Sequence, residues 1–191
     1  MGGRVKKTRN FMYLRSNLPY LCPMNYNDPE EWFPVVDEDG NVTGKALRRI
    51  CHDGKSMLLH PVVHLHVFNT KGDLFLQKRA DTKDIEPGKW DSSVGGHVGL
   101  DESVEAALFR EVKEELGLTG FTPRFLARYI WQSSRERELI NSYSTISVDT
   151  PEINKSEIEE GRYWNIKDIK MNLGKNIFTP NFEHEFKLLF I

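Results

Sequence analysis

Three glutamates form the densest group of potential metal ligands in this sequence. Glu111, Glu114 and Glu115 stand three and four residues apart within residues 96–118, GHVGLDESVEAALFREVKEELGL. On a helix, this spacing projects the three carboxylates from neighbouring positions on one face. Carboxylates this close together raise a pKa or require a cation, and their hard oxygen atoms suit Mg²⁺ or Mn²⁺. The spacing therefore predicts a divalent-metal site along an acidic helix edge.

The element that must carry these glutamates is a short amphipathic helix. Apolar residues recur at every fourth position beside the acidic edge: Val104, Leu108, Val112 and Leu116. Such a stripe predicts burial of one side of the helix against a core. We expect a glycine loop at Gly96 to lead into the helix, Asp101 or Ser103 to cap its start, and Gly117 to end it.

The same segment resembles the signature of the Nudix hydrolases. That signature runs Gly, five residues, Glu, seven residues, Arg-Glu, an aliphatic residue, any residue, Glu-Glu, any residue, Gly and an aliphatic residue. Its places are filled by Gly96, Glu102, Arg110, Glu111, Val112, Glu114, Glu115, Gly117 and Leu118. A solvated surface helix would explain the glutamates but not the spaced Gly96 and Arg110. The resemblance implies an α/β fold, a Nudix-type α/β/α sandwich with a mixed central sheet, and a Mg²⁺-dependent hydrolase of diphosphate bonds.

The resemblance also implies roles for single residues. The metal ligands would be Glu111, Glu114, Glu115 and the backbone carbonyl of Gly96. Arg110 would orient the carboxylates through a salt bridge, and Glu102 would anchor the glycine loop. A further metal ligand or general base from outside the helix falls on Glu136 or Glu138, and the sequence leaves that choice open.

Segments outside the signature look like the isopentenyl-diphosphate isomerases, a branch of the same superfamily. The similar segments are LHPVVHLHVFN, LFLQKRADTK, PGKWDSSVGGH and RERE. In that branch the matching positions bind a metal (His60, His97, Glu136, Glu138) or grip the substrate diphosphate (Arg79, Lys83). We therefore expect Arg79, Lys83, His60 and His97 to bind the substrate, and Glu136 and Glu138 to supply the additional metal ligand or base. A further histidine ligand of the branch falls on Asp53, beside His52. Its proton-transferring cysteine falls on Gly95, which has no side chain to donate a proton, so the hydrolase is favoured over the isomerase.

Composition bounds the remaining possibilities. The 191 residues predict an N-terminal extension at 1–30 and one domain at 31–191. A net charge of −2 argues against nucleic-acid binding, and no apolar run approaches the roughly 18 residues of a membrane span. Cys22 and Cys51 have neither disulfide-framework nor metal spacing, which favours reduced thiols in a cytoplasmic protein. The basic N-terminus lacks the apolar core of a signal peptide, and Met24 is an alternative start.

The hydrophobic pattern predicts strands interleaved with helices but no regular βαβ alternation. Strands or hairpins are expected at 31–49 around an Asp39-Gly40 turn, at 62–69, 74–79, 90–94, 124–131 and 139–149. A loop is expected at 80–89, an acidic connector from 157 to 160, a short helix at 166–171 and a last helix opening at Thr179-Pro180. In the strand at 62–69, His64 and His66 share one face with the preceding His60, and each is interpreted singly as a core histidine.

Three functions are weighed on these grounds. The first is hydrolysis of a nucleoside diphosphate linked to another group, or of a related organic diphosphate. The second is isomerisation of isopentenyl diphosphate, and the third is a sensor that binds nucleotides without cutting them. The expected partner is a small-molecule diphosphate. A homodimer formed through an exposed sheet edge or the extension is compatible with the sequence, which does not constrain the substrate.

Overall fold

The computed structural model describes residues 28–83 and 85–191, so Cys22, Met24 and most of the expected extension lie outside the described part. The strands are β1 (Trp32–Val36), β2 (Val42–Leu47), β3 (Leu59–Phe68), β4 (Leu74–Arg79), β5 (Trp90–Asp91), β6 (Val94–His97), β7 (Arg124–Gln132), β8 (Arg137–Ile146) and β9 (Ile158–Trp164). The helices are α1 (Arg48–Cys51), α2 (Val104–Leu116), α3 (Ile166–Asn172) and α4 (Pro180–Phe190). None of the described helices is long and apolar enough to span a bilayer.

The strands form one small and one large sheet. β1 and β2 make the predicted hairpin as a separate antiparallel pair. The large sheet has the order β5-β4-β3-β8-β7, with β6 also paired to β3 and β9 to β4. β3 and β8 run parallel, and the other pairs run antiparallel. The predicted mixed sheet is therefore confirmed.

Helices cover both faces of the large sheet. On one face α2 buries Leu108 and Val112 against Val63 and Leu65 of β3. On the other face, α3 and α4 pack on alternate residues of β4 in a cluster that contains Leu74, Leu76, Ile169, Phe178, Phe182 and Phe186. Because successive strand residues point to opposite faces, one strand supplies both cores. This arrangement is the α/β/α sandwich that the resemblance implied.

The caps of α2 match the sequence signals. Ser103, one of the two cap candidates, accepts a hydrogen bond from the Ala106 amide at 3.1 Å. Gly117 ends the helix with φ of +66°, in the left-handed region that favours glycine. These caps set the two ends of the helix that carries the acidic residues.

Three local expectations were wrong. Gly95 and Gly96 lie in strand β6, paired with His64 and Val63, and not in a loop. The expected strand at 90–94 is interrupted at Ser93, whose hydroxyl accepts from the Val67 amide and donates to the Phe75 carbonyl, replacing ladder bonds. The segment expected to begin an acidic connector instead enters strand β9 at Ile158; the exposed Glu159 and Glu160 hide the strand pattern in the sequence. The short helix α1 was not predicted, and it leads into His52.

Gly161 of β9 offers a test of how tightly β9 packs against its neighbours. A Cβ at this position would collide with the Phe75 ring and with Ile153. We expect Gly161→Ala to lower the free energy of unfolding by about 2 kcal/mol, because overpacking a filled core displaces its neighbours. Urea denaturation followed by tryptophan fluorescence measures this change. Gly44→Ala, in strand β2 with no atom within 4 Å of the added Cβ, is the control, and an equal loss in both variants would contradict the packing argument.

Candidate active site

A pocket of about 300 Å³ opens where strands β3 and β4 separate. The two strands register at Phe68 and Leu74 next to their turn, whereas residues 62–65 of β3 pair with β6. Residues of both separated segments line the pocket, among them His64 and Gln77. The sandwich therefore holds a cleft at the end of β4 that α2 and α4 approach from opposite faces.

Buried carboxylates form one wall of this pocket. Glu111 and Glu115 of α2 and Glu157, the residue before β9, all line it. Glu115 accepts a hydrogen bond from Gln77 at 3.0 Å, and Glu157 Oε2 accepts one from Lys83 at 3.2 Å. The other oxygen of Glu157 has no hydrogen-bond partner among the described residues. An unpartnered buried carboxylate oxygen is a ready ligand for a cation.

Electrostatics mark the same wall as a cation site. Burial raises the pKa of Glu111 to about 7 against the opposing effect of Arg110. Burial also raises the pKa of Glu115 well above its usual value, and Glu111 and Glu157 raise it further. A Cβ at Gly96 would collide with the Glu111 side chain, so glycine lets the backbone of β6 approach this carboxylate. A divalent cation would relieve the repulsion among these groups.

The three glutamates singled out by their spacing do not all reach the pocket. Glu111 and Glu115 line it, but Glu114 is not among the residues that do so. Glu114 instead accepts a hydrogen bond from Arg110 at 3.2 Å. Glu157 occupies the pocket wall beside the other two, and no sequence signal distinguished it from the acidic residues that follow it. The assignment of Glu114 to the metal stays a prediction.

Arg110 joins the elements around the carboxylates. It donates to Glu102 at 2.9 Å, to Glu111 at 2.7 Å and to the His97 carbonyl at 2.9 Å. Glu102 in turn accepts a hydrogen bond from the Gly99 amide at 2.9 Å. The guanidinium thus ties α2 to β6 and to the loop between them. The orienting role of Arg110 and the anchoring role of Glu102 stay predictions.

Three imidazoles converge beside the pocket, which His52 and His97 line and the fully buried His60 does not. The ligand atoms of His52, His60 and His97 all lie within 4.8 Å of one another, the one such group of three or more potential ligands in residues 28–83 and 85–191. His60 Nδ1 lies 3.0 Å from the Leu58 carbonyl, and its Nε2 is buried without a partner. A carbonyl at Nδ1 fixes the tautomer that leaves a lone pair on Nε2 for a metal. The resemblance pointed to Asp53, but the structure brings the adjacent His52 into this cluster.

Burial keeps these imidazoles neutral. It lowers the pKa of His52 to about 3 and that of His60 to about 4, and burial with the nearby Arg48 lowers the pKa of His97 well below its usual value. Arg48 donates to His97 Nδ1 at 3.3 Å, which places the ring proton on Nε2, 3.2 Å from His52 Nε2. His97 would have to release Arg48 to offer Nε2 to a metal. His52 and His60 have the lone pairs that a metal requires.

Glu136 and Glu138 both line the pocket, as predicted for one of them. Glu136 lies 3.4 Å from His52 Nε2, beside the histidine cluster. Glu138 lies within strand β8, not in a loop, and accepts a hydrogen bond from Asn181 of α4 at 3.2 Å. Burial raises the pKa of both carboxyls, and with its neighbour Glu136 it raises that of Glu138 to about 8. Either residue can act as a base or ligand, so the choice between them stays open.

The two cations predicted to bind a diphosphate also line the pocket. Arg79, at the end of β4, donates to the Ile85 carbonyl at 2.9 Å and to Asp91 at 3.1 Å. Lys83 lies in the loop that follows and pairs with Glu157. Arg79, from the end of β4, and Lys83, from the loop at 80–89, therefore border the same pocket as the carboxylates, where an anionic ligand bound to a cation would lie.

Comparisons with known proteins bear on the family and the fold. The NUDIX domain family matches residues 58–182. The chain is 29% identical to an isopentenyl-diphosphate Delta-isomerase of Photorhabdus laumondii over 159 residues, 79% of this chain and 90% of the relative. It is 30% identical to an uncharacterized Nudix hydrolase of Listeria monocytogenes over 164 residues, 80% of this chain and 90% of the relative. The crystal structure of DR0079 from Deinococcus radiodurans shares the fold, with a TM-score of 0.73 and 24% identity over 84% of this chain and 100% of that one.

Proposed function

This chain belongs to the Nudix hydrolase family, and we propose that it cleaves the diphosphate bond of a small molecule with the help of a divalent cation. The substrate class is a nucleoside diphosphate linked to another group, or a related organic diphosphate. The observation that carries the proposal is a single pocket lined both by the buried carboxylates Glu111, Glu115 and Glu157 and by the cations Arg79 and Lys83.

The carboxylate wall fits the hard divalent cation expected for the family. Glu111, Glu115 and the Gly96 carbonyl would hold Mg²⁺ or Mn²⁺, and the unpartnered oxygen of Glu157 is available to the same ion. Bound there, the ion would neutralise phosphate charge and acidify a water molecule. Arg110 would hold Glu111 in position through its 2.7 Å hydrogen bond.

Other residues of the pocket would bind the substrate and move the proton. Arg79 and Lys83 would donate to phosphate oxygens, where cations stabilise the charge of a diphosphate during cleavage. Glu136 or Glu138 would accept the proton of the attacking water, since a carboxylate with a raised pKa serves as a general base near neutral pH. His60 and His97 would lie at the substrate site, and the adjacent His52 would be an additional metal ligand.

A substrate panel tests the proposed reaction. The native chain is incubated with Mg²⁺ or Mn²⁺ and with nucleoside triphosphates, ADP-ribose, nucleotide sugars, dinucleoside polyphosphates and isopentenyl diphosphate. Phosphate and nucleotide release are measured with and without EDTA. Metal-dependent turnover of one compound supports the proposal, whereas tight metal-dependent binding without turnover of any compound would favour a sensor.

The histidine cluster favours isomerisation of isopentenyl diphosphate as the second candidate. His52, His60 and Glu136 provide ligands like those of the isomerases, and a relative with 29% identity carries that name. Gly95 argues against this reaction, because it stands where those enzymes have the cysteine that transfers the proton.

Gly95→Cys tests whether the missing thiol separates the two reactions. A Cβ at this position would lie at ordinary contact distances, 3.5 Å from His64 Cδ2 and 3.7 Å from Ser92 Oγ, so the backbone accepts a side chain here. We expect the native chain to leave isopentenyl diphosphate unexchanged in D₂O and the Cys variant to exchange hydrogen detectably, as followed by NMR. Double-bond migration by the native chain would reverse the ranking of the two functions, and Gly95→Ala, which adds a Cβ but no thiol, is the control.

A further inference from the structure

A buried carboxylate of α4, Glu185, lies close to two histidines of β3, one of which lines the pocket. His64 Nδ1 lies 2.7 Å from Glu185 Oε2, and His66 Nε2 lies 3.3 Å from Glu185 Oε1. The side chain of Glu185 is wholly buried, and that of His64 is 9% exposed. Both histidines lie on the face of β3 that turns toward α4, so one carboxylate serves two imidazoles.

The buried carboxylate of Glu185 favours the protonated, positively charged form of His64. An ionised carboxylate enclosed by protein is stable only next to a positive charge or several donors, and imidazoles are the charged partners found for Glu185 in the described chain. Although burial lowers the pKa of His64, Glu185 raises it to about 9. The two histidines hold the pKa of Glu185 well below its usual value despite its burial. His64 and Glu185 therefore form an ion pair in which Nδ1–H donates.

The other nitrogen of His64 lies beside Gly95, a second residue of the pocket lining. His64 is a pocket-lining residue, and no protein acceptor for its Nε2 is found within residues 28–83 and 85–191. Opposite it in the β3–β6 ladder stands Gly95, and a Cβ there would lie 3.6 Å from Nε2. The bare glycine thus leaves the Nε2–H accessible. His66, whose Nε2 lies 3.3 Å from Glu185 without forming a hydrogen bond, is fully buried and does not line the pocket.

We propose that His64 is a substrate-binding cation, whose Nε2–H donates to a phosphate oxygen of the diphosphate, and that Glu185 is its positioning residue. This inference rests on the proposed function, because that function supplies the anionic ligand. A charged N–H directed into a pocket seeks a negative oxygen atom. Glu138 and Asp91 are the pocket carboxylates whose charges also act on His64, but neither forms a hydrogen bond with it in the described chain.

Binding of a diphosphate that cannot be hydrolysed tests this role directly. The probe is imidodiphosphate, titrated calorimetrically into the full chain in the presence of Mg²⁺. Because removing His64 alone leaves Glu185 buried and less well paired, the informative variant is the neutral pair His64→Gln with Glu185→Gln. We expect its Kd to rise about tenfold or more relative to the native chain, as for loss of a charged hydrogen bond.

The control separates substrate binding from a structural role. His66→Gln removes the other imidazole of the same carboxylate but changes no pocket-lining residue, so its Kd is expected to match that of the native chain. In addition, the ¹⁵N resonance of His64 Nε2, assigned by its loss in His64→Gln, should shift when imidodiphosphate is added. A ring that only fastens α4 to β3 would show no such shift.

The outcomes distinguish this inference from the function on which it rests. If the native chain hydrolyses a diphosphate and the double variant binds the probe as tightly, the role of His64 is refuted and the hydrolase stands. If the native chain neither binds the probe nor cleaves any compound, both are refuted. If His66→Gln weakened binding as much as the double variant does, the role of His64 would also be refuted, since the effect would then come from packing around Glu185.

Discussion

Replacing Glu115 by glutamine is expected to lower kcat/KM for the cleaved diphosphate by about a thousandfold, which corresponds to ~4 kcal/mol of transition-state stabilisation. Glu115 is buried in the pocket wall, and its carboxylate faces those of Glu111 and Glu157. Glutamine keeps the size and the hydrogen bond from Gln77 but removes the negative charge that would hold the cation. Steady-state kinetics over a range of Mg²⁺ concentrations measures the loss.

The same variant is expected to be more stable than the native chain without metal. Burial raises the pKa of Glu115, so ionisation is less favourable in the folded than in the unfolded chain. Its carboxylate therefore destabilises the fold increasingly as the pH rises above the usual value of 4.5. At pH 7.5 in EDTA we expect Glu115→Gln to raise the free energy of unfolding by about 1–2 kcal/mol, or roughly 2–8 °C in Tm.

Glu114→Gln is the matched control for both effects. Glu114 lies on the same helix but outside the pocket lining, where it pairs with Arg110. Its substitution should leave stability nearly unchanged and lower activity much less than Glu115→Gln. Full activity in Glu115→Gln would overturn the assignment of Glu115 to the cation. A lower Tm of that variant in EDTA would show that the carboxylate stabilises the fold without metal.

Much of the fold could be predicted because its elements carry local signals. The Asp39-Gly40 turn predicted the hairpin of β1 and β2, the four-residue apolar period and Gly117 predicted α2, and Thr179-Pro180 predicted the start of α4. Strand β9 was missed since its outward residues are consecutive glutamates that resemble a solvated connector. Its pairing with β4 is set by tertiary contacts, which a local pattern does not contain.

Two kinds of signal made part of the candidate site predictable: chain spacing along one helix, and the resemblance that singled out Arg79, Lys83, Glu136 and Glu138. Glu111, Glu115 and Arg110 share one helix, so their proximity follows from the helical period. His52 follows α1, Glu157 precedes β9, and Glu185 lies in α4. These elements are far apart in the chain, and only the folded sheet brings them to β3 and α2. Glu157 is the same residue type as the glutamates that follow it in the chain and differs from them only in its folded surroundings. The sequence therefore did not distinguish it from them.

Arg110→Ala is expected to weaken both the fold and the reaction, because Arg110 connects four acceptors. Its guanidinium donates to Glu102, Glu111, Glu114 and the His97 carbonyl at 2.7 to 3.2 Å. The side chain is 31% exposed, so we expect a loss of about 2 kcal/mol in unfolding free energy, below the cost of breaking a fully buried pair. Chemical denaturation measures this loss.

The kinetic effect of Arg110→Ala should appear as weaker use of metal. An unoriented ligand carboxylate typically costs ten- to a hundredfold in metal affinity or activity, so the Mg²⁺ concentration for half-maximal rate should rise. Arg110→Lys should recover little of either loss, since an ammonium group cannot reproduce the planar fork that bridges Glu102 and Glu111. Lys113→Ala removes an exposed cation from the same helix and should change neither quantity. If Lys113→Ala and Arg110→Ala lost activity equally, the loss would come from removing a positive charge from the helix, and not from breaking the hydrogen bonds of Arg110 to the carboxylates.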